Sequence, residues 1–116
     1  MRIKAGLYLL LAMISFTSWA SERGELAWDL VEQGALLIDV RTPSEFNQGH
    51  LEGAANLPLD TINTAFSDID KQTPIVVYCR SGNRSGQAMS YLKKAGFTQV
   101  YNGGSLDEME VSQPTQ

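Results

Sequence analysis

The sequence predicts an α/β domain built on a small parallel sheet of four to five strands, with helices on both faces. Three observations carry this. Apolar runs of strand length at 35–40, 74–79 and 97–102 alternate with stretches in helical period, and the connections between them are short. The first two runs are close to continuous in apolar residues, as strands covered on both faces are. The second run ends in the only cysteine of the chain and passes through small and cationic residues into a helical pattern, the order strand, tight loop, helix.

Arg2 and Lys4 form a basic start, residues 5–16 are apolar, and Ser18 and Ala20 place small residues where a signal peptidase reads. Residues 1–20 are therefore expected to be an export signal cleaved after Ala20, with the domain at 21–110 and a polar tail at 111–116. The apolar stretch is shorter than the roughly 20 residues that span a bilayer, so no membrane contact of the mature domain is expected. In residues 25–33, Leu26, Leu30 and Val31 share a helical face, Trp28 packs on its flank, and Gly34 follows as a C-cap. The run 35–40 reads as a central strand with Asp39 at its carboxyl tip. Thr42, Pro43 and Glu45 spell a helix start with a capping box, in a helix that stops by Gln48 and Gly49.

A short strand is expected at 53–58, stopped by Pro58. Asp60 is the expected cap of a helix over 61–66 with Ile62, Ala65 and Phe66 on its apolar face. After the strand 74–79, the segment 88–95 reads as helix closed by Gly96. The strand 97–102 is expected to end in a turn at Gly103 and Gly104, one or two helical turns follow over 105–109, and the rest frays.

Nine basic residues stand against 13 acidic ones. An acidic domain without a basic stripe argues against a nucleic-acid partner. One cysteine excludes an internal disulfide, and the sole histidine, His50, excludes a histidine-built metal site beyond one ligand. No cofactor or metal is expected, and His50 reads as a hydrogen-bonded turn residue.

The chemistry gathers at Cys79. A residue at a strand's carboxyl end lies where open α/β sheets bind ligands. Successive amides from Arg80 to Ser85 can converge into an anion-binding nest beside the positive end of a helix. Both effects favour a thiolate, and Arg80 or Arg84 adds to them. Ser81, Gly82, Asn83 and Ser85 are loop formers: Gly82 supplies a conformation other residues resist, and Ser85 is a candidate cap. Asp39 either accepts hydrogen bonds from Arg41 or the loop, or acts as a general acid. Arg41 and Glu45 read as a framework ion pair or cap. A free thiol of this kind is expected to give a Cys79–Cys79 dimer or an oxidised monomer when stored without reductant.

The loop Cys79-Arg80-Ser81-Gly82-Asn83-Arg84-Ser85 resembles the active-site loop of single-domain rhodanese-like sulfurtransferases, in particular the small exported phage-shock type of Gram-negative bacteria. A second block agrees: Leu37-Ile38-Asp39-Val40-Arg41, Glu45-Phe46, Gly49-His50-Leu51-Glu52-Gly53-Ala54 and Asn56-Leu57-Pro58. A third is Gly96-Phe97, Val100-Tyr101 and Asn102-Gly103-Gly104. The resemblance implies a rhodanese-like fold and a thiosulfate sulfurtransferase; the export signal implies a periplasmic location, and a monomer is expected. Cys79 would sit on the floor of a shallow pocket, with the amides from Arg80 to Arg84 turned toward its sulfur. Thiosulfate would place its sulfonate end near Arg80 or Arg84, a Cys79 persulfide would form, and cyanide, a small thiol or a thiol-bearing protein would take the sulfur in a ping-pong cycle. Arg84 would either orient the anion or fasten the loop, and Asp39 and Arg41 would hold the site together.

The chain departs from that pattern in three ways. Tyr78 precedes the cysteine where phosphatases related to the fold carry histidine, and four residues instead of their five separate Cys79 from Arg84. No opening strand precedes the first helix. Asp107-Glu108-Met109 stands where a tryptophan often follows the double glycine. Two other functions share the fold: a persulfide carrier without turnover, and a phosphatase or arsenate reductase, which Tyr78 and the short loop disfavour.

Overall fold

The computed structural model describes residues 21–114; the expected export signal and the last two residues lie outside them. In chain order the elements are α1 (Glu22–Glu32), β1 (Leu36–Asp39), α2 (Pro43–Gln48) and β2 (Ala55–Asn56). A 3-10 turn (Leu59–Thr61) then runs into α3 (Ile62–Ala65), followed by β3 (Ile75–Cys79), α4 (Asn83–Lys94), β4 (Val100–Ser105) and α5 (Leu106–Ser112). The four strands form one sheet in the order β2-β1-β3-β4, with every neighbouring pair parallel.

Alternation along β3 explains the layering. Ile75, Val77 and Cys79 face α3 and α4 and pack with Ile38, Val40, Phe66, Leu92 and Phe97. Val76 and Tyr78 face α1 and α5, among Ala27, Trp28, Leu37 and Met109. All five β3 side chains are buried, and each large aliphatic one so placed contributes about 1.5–3 kcal/mol. The two faces therefore hold the strand that delivers Cys79 from both sides.

The first helix is capped by Ser21, whose hydroxyl accepts from Gly24 N–H at 3.0 Å. Its buried face differs from expectation. Leu26 is 51% exposed and Leu30 and Val31 only half-buried, while Ala27 and Trp28 are buried. The cause is α5, which lies against this flank: Trp28 Nε1–H donates to Met109 O at 2.6 Å. Periodicity alone cannot tell which flank a distant helix will cover.

Thr42 and Glu45 form the expected capping box of α2. Asp60 does not cap a helix; it lies inside the 3-10 turn, and α3 starts at Ile62 without a side-chain cap. Gly103 and Gly104 are not a turn but part of β4, where the ladder with β3 shifts register between Val77 and Tyr78 and Gly104 takes φ +101°. Such a bulge places one extra residue on β4 and re-aims its end. Ser105 and Glu108 make a second capping box, and α5 continues to Ser112, so residues 111 and 112 are helical. Ser112 is buried and its Oγ accepts from Ser21 N–H at 3.2 Å, which closes the C-terminal helix onto the start of α1. No described helix is long and apolar enough to cross a membrane.

Candidate active site

Strand β3 ends at Cys79, and three residues later Gly82 turns the chain into α4 with φ +97°. That left-handed conformation aims the Gly82 N–H at the cysteine, 3.0 Å from Sγ. One helical turn on, Ser85 offers its N–H and its hydroxyl, both at 3.4 Å. The amides serving the sulfur are thus those of the loop and of the first turn of α4, narrower at one end and wider at the other than the expected run from Arg80 to Arg84. Ser85 does not cap α4: Gly82 is the N-cap residue, and Ser85 points inward. Ser81 Oγ accepts from Asn83 N–H at 3.4 Å.

The sulfur is fully buried, not lying open on the floor of a shallow pocket. Burial pushes the Cys79 thiol up, but hydrogen bonds from the Ser85 hydroxyl, the Ser85 amide and the Ser81 and Gly82 amides outweigh it, and the thiol lies below its ordinary value. With both sulfurs buried, two protein copies cannot bring them into contact in this conformation, which speaks against the expected Cys79–Cys79 dimer while leaving small reagents as partners.

Asn102, on β4, ties the ring together and was given no role by sequence reasoning. Its Oδ1 accepts from Ser85 Oγ–H at 2.7 Å and from Gly104 N–H at 2.9 Å, while its Nδ2 donates to Gly82 O at 3.1 Å. The residue directly before a double glycine was the available signal. The glycine at the bulge frees an amide for Asn102 Oδ1, so the register shift of β4 serves the cysteine loop.

The cations are distributed as follows. Arg84 fastens the loop: Nη1 and Nη2 donate to the two carboxylate oxygens of Glu45 at 2.7 and 2.9 Å. Arg84 holds the Glu45 carboxyl down at about 2. Arg41 is buried against the buried Asp39, with Nε and Nη2 on the carboxylate at 2.9 and 2.6 Å, and Nη2 also reaches Gly49 O at 2.7 Å. Asp39 also accepts from Arg41 N–H at 2.9 Å, so it is saturated as an acceptor and joins the tip of β1 to the end of α2. Arg41 and Glu45 do not pair with each other; their partners are Asp39 and Arg84.

Arg80 is exposed and makes no ion pair among the described residues. It flanks a cavity of about 550 Å³ together with Arg41, Glu45, His50, Leu106 and Asp107. Cys79 does not line that cavity. His50 stacks on Phe46, ring centroids 3.6 Å apart, with Nδ1 at 2.8 Å from Phe46 O, the hydrogen-bonded turn residue expected. Tyr78 points away from Cys79, buried on the opposite face of the sheet, where its OH accepts from Leu51 N–H at 3.1 Å. Burial, with the Asp39 carboxylate beside it, pushes the phenol well up.

Arg23 stands at the site without having been singled out from the sequence. From the first turn of α1 it makes a two-bond pair with Glu108 of α5, Nε at 2.9 Å and Nη2 at 2.6 Å. The guanidinium lies against both site glycines: a Cβ at Gly82 would stand 2.6 Å from Nη2, and one at Gly104 2.6 Å from Nε. Glu108 raises the Arg23 pKa against burial, and the negative charge of Cys79 adds to the rise. Among the described residues no three His, Cys, Asp or Glu side chains are grouped as a metal site.

A family model described as the rhodanese-like domain matches residues 24–107. A protein of Allochromatium vinosum named sulfurtransferase is 44% identical over 70 residues, 60% of this chain and 65% of that protein. The thiosulfate sulfurtransferase PspE of Escherichia coli is 39% identical over 74 residues, covering 62% of this chain and 71% of its own. Against another curated relative the match spans only 54% of that protein's length. A solved structure described as a rhodanese with anions, from E. coli, superposes with a TM-score of 0.62 at 37% identity, over 70% of this chain and 95% of the other.

Proposed function

Since the chain belongs to the rhodanese-like domain family of sulfurtransferases, we propose that it is a thiosulfate sulfurtransferase that works through a Cys79 persulfide. The observation that carries this is the ring of donors on one sulfur: Gly82 N–H at 3.0 Å, with Ser85 N–H and Oγ behind it. Donors fixed before reaction stabilise negative charge on sulfur without reorganising.

The Cys79 thiolate attacks the outer sulfur of thiosulfate. A new S–S bond forms, the bond from that sulfur to the sulfonate breaks, and its electron pair leaves as sulfite. The persulfide keeps one negative charge at its terminal sulfur, and the loop amides receive it. Cyanide or a thiolate then attacks the terminal sulfur, the Cys79 thiolate departs, and thiocyanate or a new persulfide is released. No general acid or base enters, because thiolate and sulfite are both adequate leaving groups near neutral pH. Asp39, locked by Arg41, is a framework acceptor in this scheme.

Arg80, unpaired beside the cavity, is proposed to draw anions toward the molecule from that flank, and Arg84 to serve by holding the loop to α2. The fully buried sulfur favours a small donor and acceptor over a bulky protein thiol, and the domain is proposed to act as a monomer. The pattern of residues 1–20 supports export to the periplasm, with cleavage after Ala20.

Steady-state thiocyanate formation with both substrates varied tests the cycle. Parallel double-reciprocal lines and loss of activity in Cys79→Ser are expected; intersecting lines would exclude a persulfide intermediate that is free of sulfite. Fractionation of expressing cells, with the N-terminal residue of the purified protein determined, tests export: Ser21 in the periplasmic fraction is expected, and an uncleaved cytoplasmic chain overturns it.

A further inference from the structure

We infer that Arg23, presented by Glu108, is the cation that receives the anionic end of a reagent at Cys79, and so sets the preference of this thiol for anionic over neutral partners. The inference deepens the proposed function and rests on it for the identity of the donor.

The arginines near the site differ in what they have left to give. Arg84 spends both terminal nitrogens on Glu45. Arg41 is buried and held by Asp39 and Gly49. Arg80 projects to the cavity that Cys79 does not line. Arg23 is bonded to Glu108 through Nε and Nη2 only, and its Nη1 makes no hydrogen bond among the described residues. The same guanidinium touches the loop at Gly82, whose N–H is the shortest donor to the sulfur, and β4 at Gly104. It therefore lies over the seam between the cysteine loop and the bulge, with one edge free.

The two glycines read differently in this light. Any side chain at Gly82 or Gly104 would meet Arg23 at 2.6 Å, so their lack of a Cβ makes room for the guanidinium as well as permitting their positive φ. Glu108 has a matching double task. Its Oε1 accepts from Ser105 N–H at 3.0 Å in the capping box and from Arg23 Nη2 at 2.6 Å, and Arg23 holds its carboxyl down at about 2. The pair links the first turns of α1 and α5 directly at the cysteine loop. A fork-shaped cation fixed by a carboxylate on one edge suits an oxyanion on another edge, and an incoming sulfonate fits that description.

The test compares alkylation of Cys79 in the full chain by iodoacetate, an anion, and iodoacetamide, its neutral counterpart of similar size. The ratio of their second-order rate constants at one pH cancels thiolate fraction and access, and reports the local potential. Arg23→Gln is expected to lower the ratio about threefold or more at low salt, and Arg23→Lys to restore most of it. Glu108→Gln, which removes the counter-charge while keeping the capping geometry, is expected to raise it. A ratio unchanged in Arg23→Gln, or lowered instead in Arg80→Gln alone, overturns the assignment. Should Arg23→Gln not fold, the double variant Arg23→Gln/Glu108→Gln, which keeps a neutral hydrogen-bonded pair and leaves the net charge unchanged, decides: a ratio below that of Glu108→Gln supports the assignment and a ratio equal to it overturns it. Alkylation needs no sulfur transfer, so a site that shows the expected ratios yet takes no sulfur from thiosulfate sinks the proposed donor and leaves the role of Arg23 standing.

Discussion

Ser85 Oγ stands 2.7 Å from Asn102 Oδ1 and 3.4 Å from Cys79 Sγ. A hydroxyl has one proton to donate. The Asn102 oxygen, at the shorter distance, and the sulfur compete for it, and the sulfur gains the stronger claim when Cys79 is a thiolate, which is how the hydroxyl lowers the thiol pKa. Asn102 thereby competes with the thiolate for Ser85 while holding Gly82 O in place.

Ser85→Ala removes the hydroxyl and keeps the amide. The hydrogen bonds to the sulfur favour the thiolate, so losing one raises the thiol pKa. The expected consequence is about a three- to tenfold lower iodoacetamide rate at neutral pH, from one hydrogen bond of about 0.5–1.5 kcal/mol. The rate at pH well above the thiol pKa is expected to be unchanged or faster. An unchanged pH profile would show the hydroxyl to be committed wholly to Asn102.

Trp28→Phe keeps most of the packing on α5 but removes the indole donor to Met109 O. The carbonyl is left buried without that partner, and a loss of about 1–3 kcal/mol in unfolding free energy is expected. Denaturant melts with an unchanged slope check it. Leu26→Ala, on the exposed flank of α1, is expected to change stability by less than about 0.5 kcal/mol.

Glu45 and Glu108 both lie at about 2, below the ordinary carboxylate value of 4.5, each because of its arginine first. A depressed folded pKa contributes stability that is present above the unfolded value and lost as pH falls through the folded one. The window is therefore roughly pH 4.5 down to 2 for both pairs. These pairs are partly exposed and each contributes no more than about 1 kcal/mol. Glu45→Gln is expected to lower stability at pH 7 by that order and to differ little from the parent near pH 2. A gap that persists unchanged to pH 2 would mean that Glu45 acts through its capping bonds and not its charge.

Buried Cys79 is expected to resist dimerisation. After mild oxidation in dilute protein, non-reducing electrophoresis should show monomer, and abundant dimer would mean that the loop opens readily in solution.

Much of this fold was legible because the signals were local. The β-branched run into Cys79, the Thr42-Pro43-Glu45 helix start and the small loop after the cysteine each declare themselves within a few residues. What the sequence hid depends on partners far along the chain. The buried flank of α1 escapes local periodicity because Met109, 81 residues away, decides it. Nothing local marks Arg23, because its partner Glu108 lies 85 residues on. Gly103 and Gly104 read as a turn since nothing local distinguishes a turn from a bulge in an edge strand. In the candidate site, Cys79 and Gly82 followed from the pattern, whereas the partners of Arg41, Glu45 and Arg84 needed three dimensions to sort.

The most direct measurement is the intact mass of the reduced protein before and after thiosulfate, with Cys79→Ser in parallel and sulfite determined in the same tube. The account predicts a gain of one sulfur atom on the parent protein alone, matched by one equivalent of sulfite. A parent protein that gains no sulfur and releases no sulfite, while its Cys79 still alkylates, would contradict it.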